Sequence, residues 1–185
     1  MDKRDLIIEG KNLYLKGIDH QYSDLIISWR NDENIGRFIQ TERLELPTHQ
    51  RFIDNYLAAE NDFYFLSYTK DTHTPVGTVA IYNIDYNAEE AEYGRLVLPS
   101  EYRFYSVEIA WLAISFAFNT LKLKKVKGIV QGKNTNAIKL LKGIRFKKEQ
   151  TLQRAWHNGD DVFIYVMYEG EFREFAKVYE RLVNY

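Results

Sequence analysis

The sequence predicts an α+β (mixed α/β) domain, and three observations carry that reading. Apolar residues recur with a period of two in some short runs and at helical spacing in others. The runs follow the order strand, two helices, three strands, helix, strand, helix, two strands, helix, which suits neither a bundle nor a sandwich. At 185 residues, with 45% hydrophobic and 28% charged residues and no linker-like stretch, the chain reads as a single domain over 1–185.

Leu13 to Ile18 alternates apolar and polar residues and opens the fold as a strand. Asp19 to Ser23 supplies turn and cap residues, then Leu25, Ile26 and Trp29 fall on one helical face that stops near Asn31-Asp32. Pro47 starts a second helix whose stripe is Phe52, Ile53, Tyr56 and Leu57. Three strands follow: Phe63 to Tyr68, Val76 to Ile84 and Ala91 to Leu98, separated by turns at Lys70 to Pro75 and Asn87 to Glu90. Ser106 to Leu121 is apolar nearly all round, so it is expected as a buried central helix. Lys125 to Gln131 is a strand, and Thr135 to Lys142 a short helix capped by Asn134 or Thr135. Gln150 to Trp156 and Val162 to Met167 flank Asn158-Gly159, a type I′ hairpin signal. Glu171 to Leu182 closes the chain as a helix.

Composition excludes several functions. There is no cysteine, hence no disulfide, thiolate metal site or thiol nucleophile. His20, His49, His73 and His157 lie far apart without ligand spacing, so no metal is expected. A net charge of -1 speaks against nucleic acid or an anionic membrane as partner. No apolar run approaches a bilayer span and the charged start is no secretory signal, so the cytoplasm is the default location. The charge is unevenly spread. Lys122 to Lys148 holds ten bases and no acid, whereas Asp54 to Glu101 holds nine acids against Lys70 and Arg95. Either these are solvated faces, or one half meets an anionic ligand and the other a cationic one.

The element order, Trp29-Arg30-Asn31-Asp32, Gly77 to Asp85, Ala91 to Gly94, Glu101 to Arg103, Phe116 to Asn119 and Asn134 to Leu140 together resemble the GCN5-related N-acetyltransferases (GNAT). The likeness runs from about Asn12 to Glu174 and is strongest to the branch acting on ribosomal-protein N-termini, polyamines and nucleotide-linked amino sugars. It implies a mixed, V-shaped, seven-stranded sheet with four to five helices, splayed between the fourth and fifth strands, with acetyl-CoA wedged in the gap. Leu96, Val97 and Leu98 would then offer backbone groups to the pantetheine arm, as an added strand would. Arg103, Phe104, Tyr105 and Ser106 would hold the pyrophosphate at a helix start, and Asn134 would meet the pantetheine. Glu92 matches the carboxylate that takes the amine proton through water, with a solvated strand residue as the plain alternative. Trp29 and Arg30 are expected to anchor the first helix, and Trp156-His157 at the final hairpin either borders the acceptor cleft or, with His157 beside Asn-Gly, is an exposed turn, so no role is assigned to it.

Two departures from the family pattern stand out. The loop after Arg103 has no glycine, the residue that lets a backbone approach phosphate closely. Leu141 stands where the family places the Tyr that protonates the leaving thiolate, and Arg145 replaces the glycine before Phe146. Tyr105 and Tyr93 are the substitutes weighed, with Tyr105 taken as the catalytic candidate. The expected activity is acetyl-CoA-dependent transfer of an acetyl group to a primary amine by direct attack in a ternary complex, with no metal. The acceptor is an amino sugar nucleotide, a protein N-terminus or a polyamine, with a cationic acceptor favoured by the acidic half. A small-molecule or peptide amine is therefore the expected partner, and a homodimer is left open. The alternative is a GNAT-fold binding or regulatory module that has lost catalysis.

Overall fold

The computed structural model describes residues 2–39 and 42–183. Strands β1 (Ile7–Glu9), β2 (Leu13–Gly17), β3 (Phe63–Thr69), β4 (Pro75–Asp85), β5 (Glu90–Val97), β6 (Lys125–Gln131), β7 (Lys147–Leu152) and β8 (Val162–Tyr168) form one sheet in the order β1-β2-β3-β4-β5-β6-β8-β7. Helices α1 (Ser23–Asn31), α2 (Leu46–Ala58), α3 (Ser106–Ser115), α4 (Thr135–Gly143) and α5 (Glu169–Val183) cover it. The sequence predicts seven strands; the eighth is β1, too short a run to show alternation, which pairs antiparallel with β2.

Period-two alternation sends β3 into two cores at once. Phe65 joins Leu13, Leu15, Val79 and Ile81 under α3 and α5, while Tyr64 and Leu66 pack with Ile26, Ile53 and Tyr56 of α1 and α2. That two-sided burial explains why Phe63 to Tyr68 reads as continuously apolar. The apolar helix α3 is indeed central, with Ile109, Ala110, Ala113 and Ile114 fully buried. It ends in a π turn over Phe116–Thr120, where the Leu121 amide donates to the Phe116 carbonyl at 3.0 Å. α5 closes over it through Trp111, stacked on Phe172 (5.6 Å) and Tyr179 (4.7 Å). Buried Glu108, in the first turn of α3, accepts from the Asn12 and Leu13 amides at 2.7 and 3.1 Å and so ties this helix to β2.

The decisive feature is the β5–β6 pair, the one parallel pair among those described. It runs only through Glu90↔Lys125, Ala91↔Val126 and Glu92↔Lys127. Beyond it β5 continues with β4 as far as Val97↔Thr78, and β6 with β8 as far as Gln131↔Val162. The two half-sheets therefore diverge at the place the resemblance implies. A bulge sharpens the divergence: Ala80↔Gly94 is followed by Thr78↔Val97, leaving three steps on β5 against two on β4. Arg95 in that bulge takes φ 49, and the Thr78 hydroxyl donates to its carbonyl at 2.9 Å.

The last hairpin differs from expectation. β7 spans Lys147–Leu152, not Gln150 to Trp156, because Arg154 takes a left-handed φ of 51 that ends the extended run. Asn158-Gly159 is no type I′ turn between strands, since that turn needs both residues left-handed and only Gly159 (φ 81) is. Instead it sits inside the 153–161 connection, where the Gly159 amide donates to the Trp156 carbonyl (2.8 Å) and the Trp156 amide to the Asp160 carbonyl (3.0 Å).

Candidate active site

The gap between β5 and β6 is a cavity of about 410 Å³. One wall is the bulged segment Tyr93 to Leu96, and the facing wall is Gly128 to Gln131. Toward α4 it is bounded by Asn134, Ala137, Leu140 and Leu141. The opposite end is aromatic and basic, with Arg30 of α1, Phe38, Ile39, Phe52 of α2, Tyr82 of β4, and Trp156. Gly94 permits this arrangement, because a Cβ there would stand 2.9 Å from the Tyr82 hydroxyl lying across it.

The charges of this aromatic end are held from behind. Arg95 binds both oxygens of Asp62 at 2.8 and 2.9 Å, and its guanidinium lies over the Tyr82 ring, 4.2 Å from the centroid. Burial pushes the Asp62 carboxyl up, against the downward pull of Arg95. Arg30 has no ion pair among the described residues, and its Nε is buried without a hydrogen-bond partner. Burial lowers its pKa, with the Tyr64 hydroxyl acting in the other direction. Behind it, buried His49 bonds the Ser23 hydroxyl through Nδ1 at 3.1 Å, and its Nε2 has no partner among the described residues. Burial, reinforced by Arg30, drops His49 to about 4, so this ring is neutral near pH 7.

Two tyrosines complete the wall. Burial raises the Tyr93 phenol, keeping it protonated, and its hydroxyl has no partner among the described residues. Tyr82 is raised by burial and then by the Glu92 carboxylate opposite it in the ladder.

Of the residues singled out from sequence, Leu96 and Asn134 line the cavity. Asn134 Oδ1 caps α4 by accepting from the Ala137 amide at 3.1 Å, so the cap reading holds. Val97 is buried and pairs with Thr78, and Leu98 packs against the same core; neither is on the cavity wall. Glu92 also lies outside the wall and accepts from Asn83 Nδ2 at 3.0 Å. Arg103, Phe104 and Tyr105 belong to a 3-10 turn, Ser100–Tyr105, that runs straight into α3. The Ser106 amide donates to the Arg103 carbonyl, closing that turn, so this donor does not point at the gap unbonded. Phe104 is 72% exposed and stacks on Tyr105 at 4.1 Å. The charged and phenolic neighbours of Tyr105 are Asp71, Glu108 and Tyr102, none of them on the cavity wall.

Sequence reasoning missed Arg30 as a cavity residue, having assigned it to packing, and it missed the Asp62–Arg95 pair altogether. Trp156 borders the cavity, while His157 beside it is exposed. Arg145 does adopt φ 77, so the glycine-like conformation survives the change of residue.

A mixed sheet that splits after a three-residue parallel overlap, with a helix-lined gap at the split, is the architecture that the resemblance to the GNAT acetyltransferases implies. The chain belongs to the GNAT family: residues 12–147 match the Acetyltransferase (GNAT) domain. It is an acyltransferase, as its relatives are. Acetyltransferase PseH of Campylobacter jejuni is 28% identical over 123 residues, 66% of this chain and 75% of that protein. Among solved structures, spermidine N-acetyltransferase from Vibrio cholerae in complex with CoA and spermine superposes with a TM-score of 0.81 at 18% identity, over 88% of this chain and 99% of that one. FdhC, a nucleotide-linked sugar GNAT, superposes at 0.82 with 20% identity, over 97% and 99%. These names do not favour the module without catalysis.

Proposed function

We propose that the protein acetylates the amine of a nucleotide-linked amino sugar, with acetyl-CoA as donor. One observation carries the choice of acceptor. The described wall of the cavity contains two arginines and no carboxylate. A polyamine would bring further positive charge to Arg30, whereas a diphosphate would find there a guanidinium that bonds the Tyr64 hydroxyl and has no carboxylate partner among the described residues. Phe38, Phe52 and Trp156 add apolar faces suited to a sugar and a base. The acid-rich stretch thus misleads as to the acceptor, since its buried member Asp62 is committed to Arg95.

The donor end fits CoA. Past Glu92, β5 has no strand partner on its β6 side among the described residues, so its backbone is available to pair with an amide-bearing arm. Asn134 Nδ2 makes no hydrogen bond among the described residues and can donate to that arm. Arg103, exposed at the α3 mouth, would meet phosphate. In the reaction the amine nitrogen bonds to the thioester carbon and the C–S bond breaks. Glu92 would take the amine proton through Tyr82 or water, and the Tyr93 hydroxyl would protonate the sulfur, the task for which Tyr105 is poorly placed. Holding the partners in line supplies much of the rate.

Thiol release with a panel of amines tests the acceptor. A nucleotide-linked amino sugar should be turned over in preference to spermidine or a peptide N-terminus. Arg30→Gln should raise its KM about tenfold or more, the worth of one charge-assisted bond, with little change in acetyl-CoA affinity. Preferred turnover of spermidine would reject the reading.

A further inference from the structure

We infer that Gln131 couples the donor end of the cavity to its Trp156 wall, so that seating CoA fixes the acceptor side. This rests on reading the cavity as the CoA site. Gln131 ends β6, is buried, and bonds in two directions. Its carbonyl accepts the Asn134 amide at 2.9 Å and so sets the turn that delivers Asn134 to the donor end. Its carboxamide donates to Asp160 Oδ2 at 2.7 Å and to Asn158 Oδ1 at 3.4 Å.

Asp160 in turn holds the 153–161 loop. Its carbonyl accepts the Trp156 amide, its Oδ2 also accepts from Asn158 Nδ2 at 3.0 Å, and its Oδ1 pairs with Lys133 at 2.6 Å. The Gly132 amide adds a bond to the Asp161 carbonyl at 2.7 Å. The turn that places Asn134 and the loop that places Trp156 are therefore laced into one unit, with one buried side chain at the crossing. A connecting loop of this length would otherwise move independently. Ordering one end lowers the cost of ordering the other, which makes acceptor binding tighter once CoA is present. Gln131 is thus a positioning residue, acting through Asn134 and Asp160.

Fluorine NMR of fluorotryptophan-labelled protein tests this, using CoA as the probe. The three tryptophans give three resonances, and Trp156→Phe assigns the one of interest. CoA should shift and sharpen the Trp156 resonance of the unmodified protein. In Gln131→Leu that response should vanish at CoA concentrations that calorimetry shows to saturate the variant. Asp160→Asn, a milder change at the other end of the bond, should weaken the response in the same way. A Trp156 resonance unmoved by bound CoA, or one that responds in both variants as it does in the unmodified protein, overturns the coupling and leaves the CoA site standing. Failure of the unmodified protein to bind CoA overturns both.

Discussion

Asp62→Asn is the most informative perturbation of the cavity. The change leaves Arg95 in its bulge, facing Tyr82, Phe52 and Tyr64 at 4.2, 5.2 and 5.4 Å, with its carboxylate gone. Removing one partner of a buried pair costs about 3–5 kcal/mol when the remaining charge is sealed from water. Here the side chains are 22% and 15% exposed, so solvent screens part of that and about 2–3 kcal/mol is expected. For a chain of this size each kcal/mol moves Tm by about 2–4 °C, giving a fall of roughly 4–12 °C by differential scanning calorimetry. The charge argument makes a second demand. Replacing the pair together, Asp62→Leu with Arg95→Met, should recover at least half the loss, because an apolar pair pays no desolvation penalty. A Tm within about 2 °C in Asp62→Asn, or a double variant as unstable as the two single changes summed, would refute the reasoning.

His49 makes stability depend on pH. Its pKa falls from 6.5 to about 4 on folding, so between those values the unfolded chain binds more protons and stability declines as pH falls. The span corresponds to about 3 kcal/mol, present in full above pH 6.5. Urea unfolding of the original and of His49→Gln should therefore show curves that separate near pH 7 and converge toward pH 4; parallel curves would contradict it. For Tyr93→Phe, stability should hold or rise by up to about 1 kcal/mol, since the lost hydroxyl had no partner. Turnover should nonetheless fall about tenfold or more, with CoA binding intact; an unchanged kcat would remove Tyr93 from the mechanism.

The fold was legible because its signals are local. The Asn134 cap, the Pro47 helix start and the all-round apolar α3 each follow from residues within one element. β-rich runs bounded by turns marked β3 and β4 as strands even though both faces are buried. The misses share a cause. Asp62 and Arg95 are 33 residues apart, and nothing near either announces the other. Arg30 follows Trp29 on a helix whose stripe suggested packing, and only the tertiary fold brings it beside Phe52, Tyr82 and Trp156. The glycine-free loop after Arg103 was visible, but a 3-10 turn continuous with α3 depends on how Tyr102 and Tyr105 pack on the core.

The charge asymmetry of the sequence finds its use at the apex of the V. Glu89 and Glu90, from the acidic stretch, meet the basic stretch there: Glu89 pairs with Lys124, and Glu90 with Lys125 and Lys127. The Glu89 carbonyl also accepts the Lys124 and Lys125 amides at 2.8 and 3.2 Å, directly beside the three parallel pairs. Exposed pairs such as Glu89–Lys124 contribute little singly, but Glu90 and its two lysines are three-quarters buried and share one carboxylate. A parallel ladder this short is a weak joint, and the strands it joins must part immediately after it. Opposite charges at that joint hold the half-sheets together at one end and leave the other end free to open around a ligand. The bases and acids that looked like two ligand faces are, at this seam, each other's partners. That is why the acceptor is better read from the few charges lining the cavity than from the many along the chain.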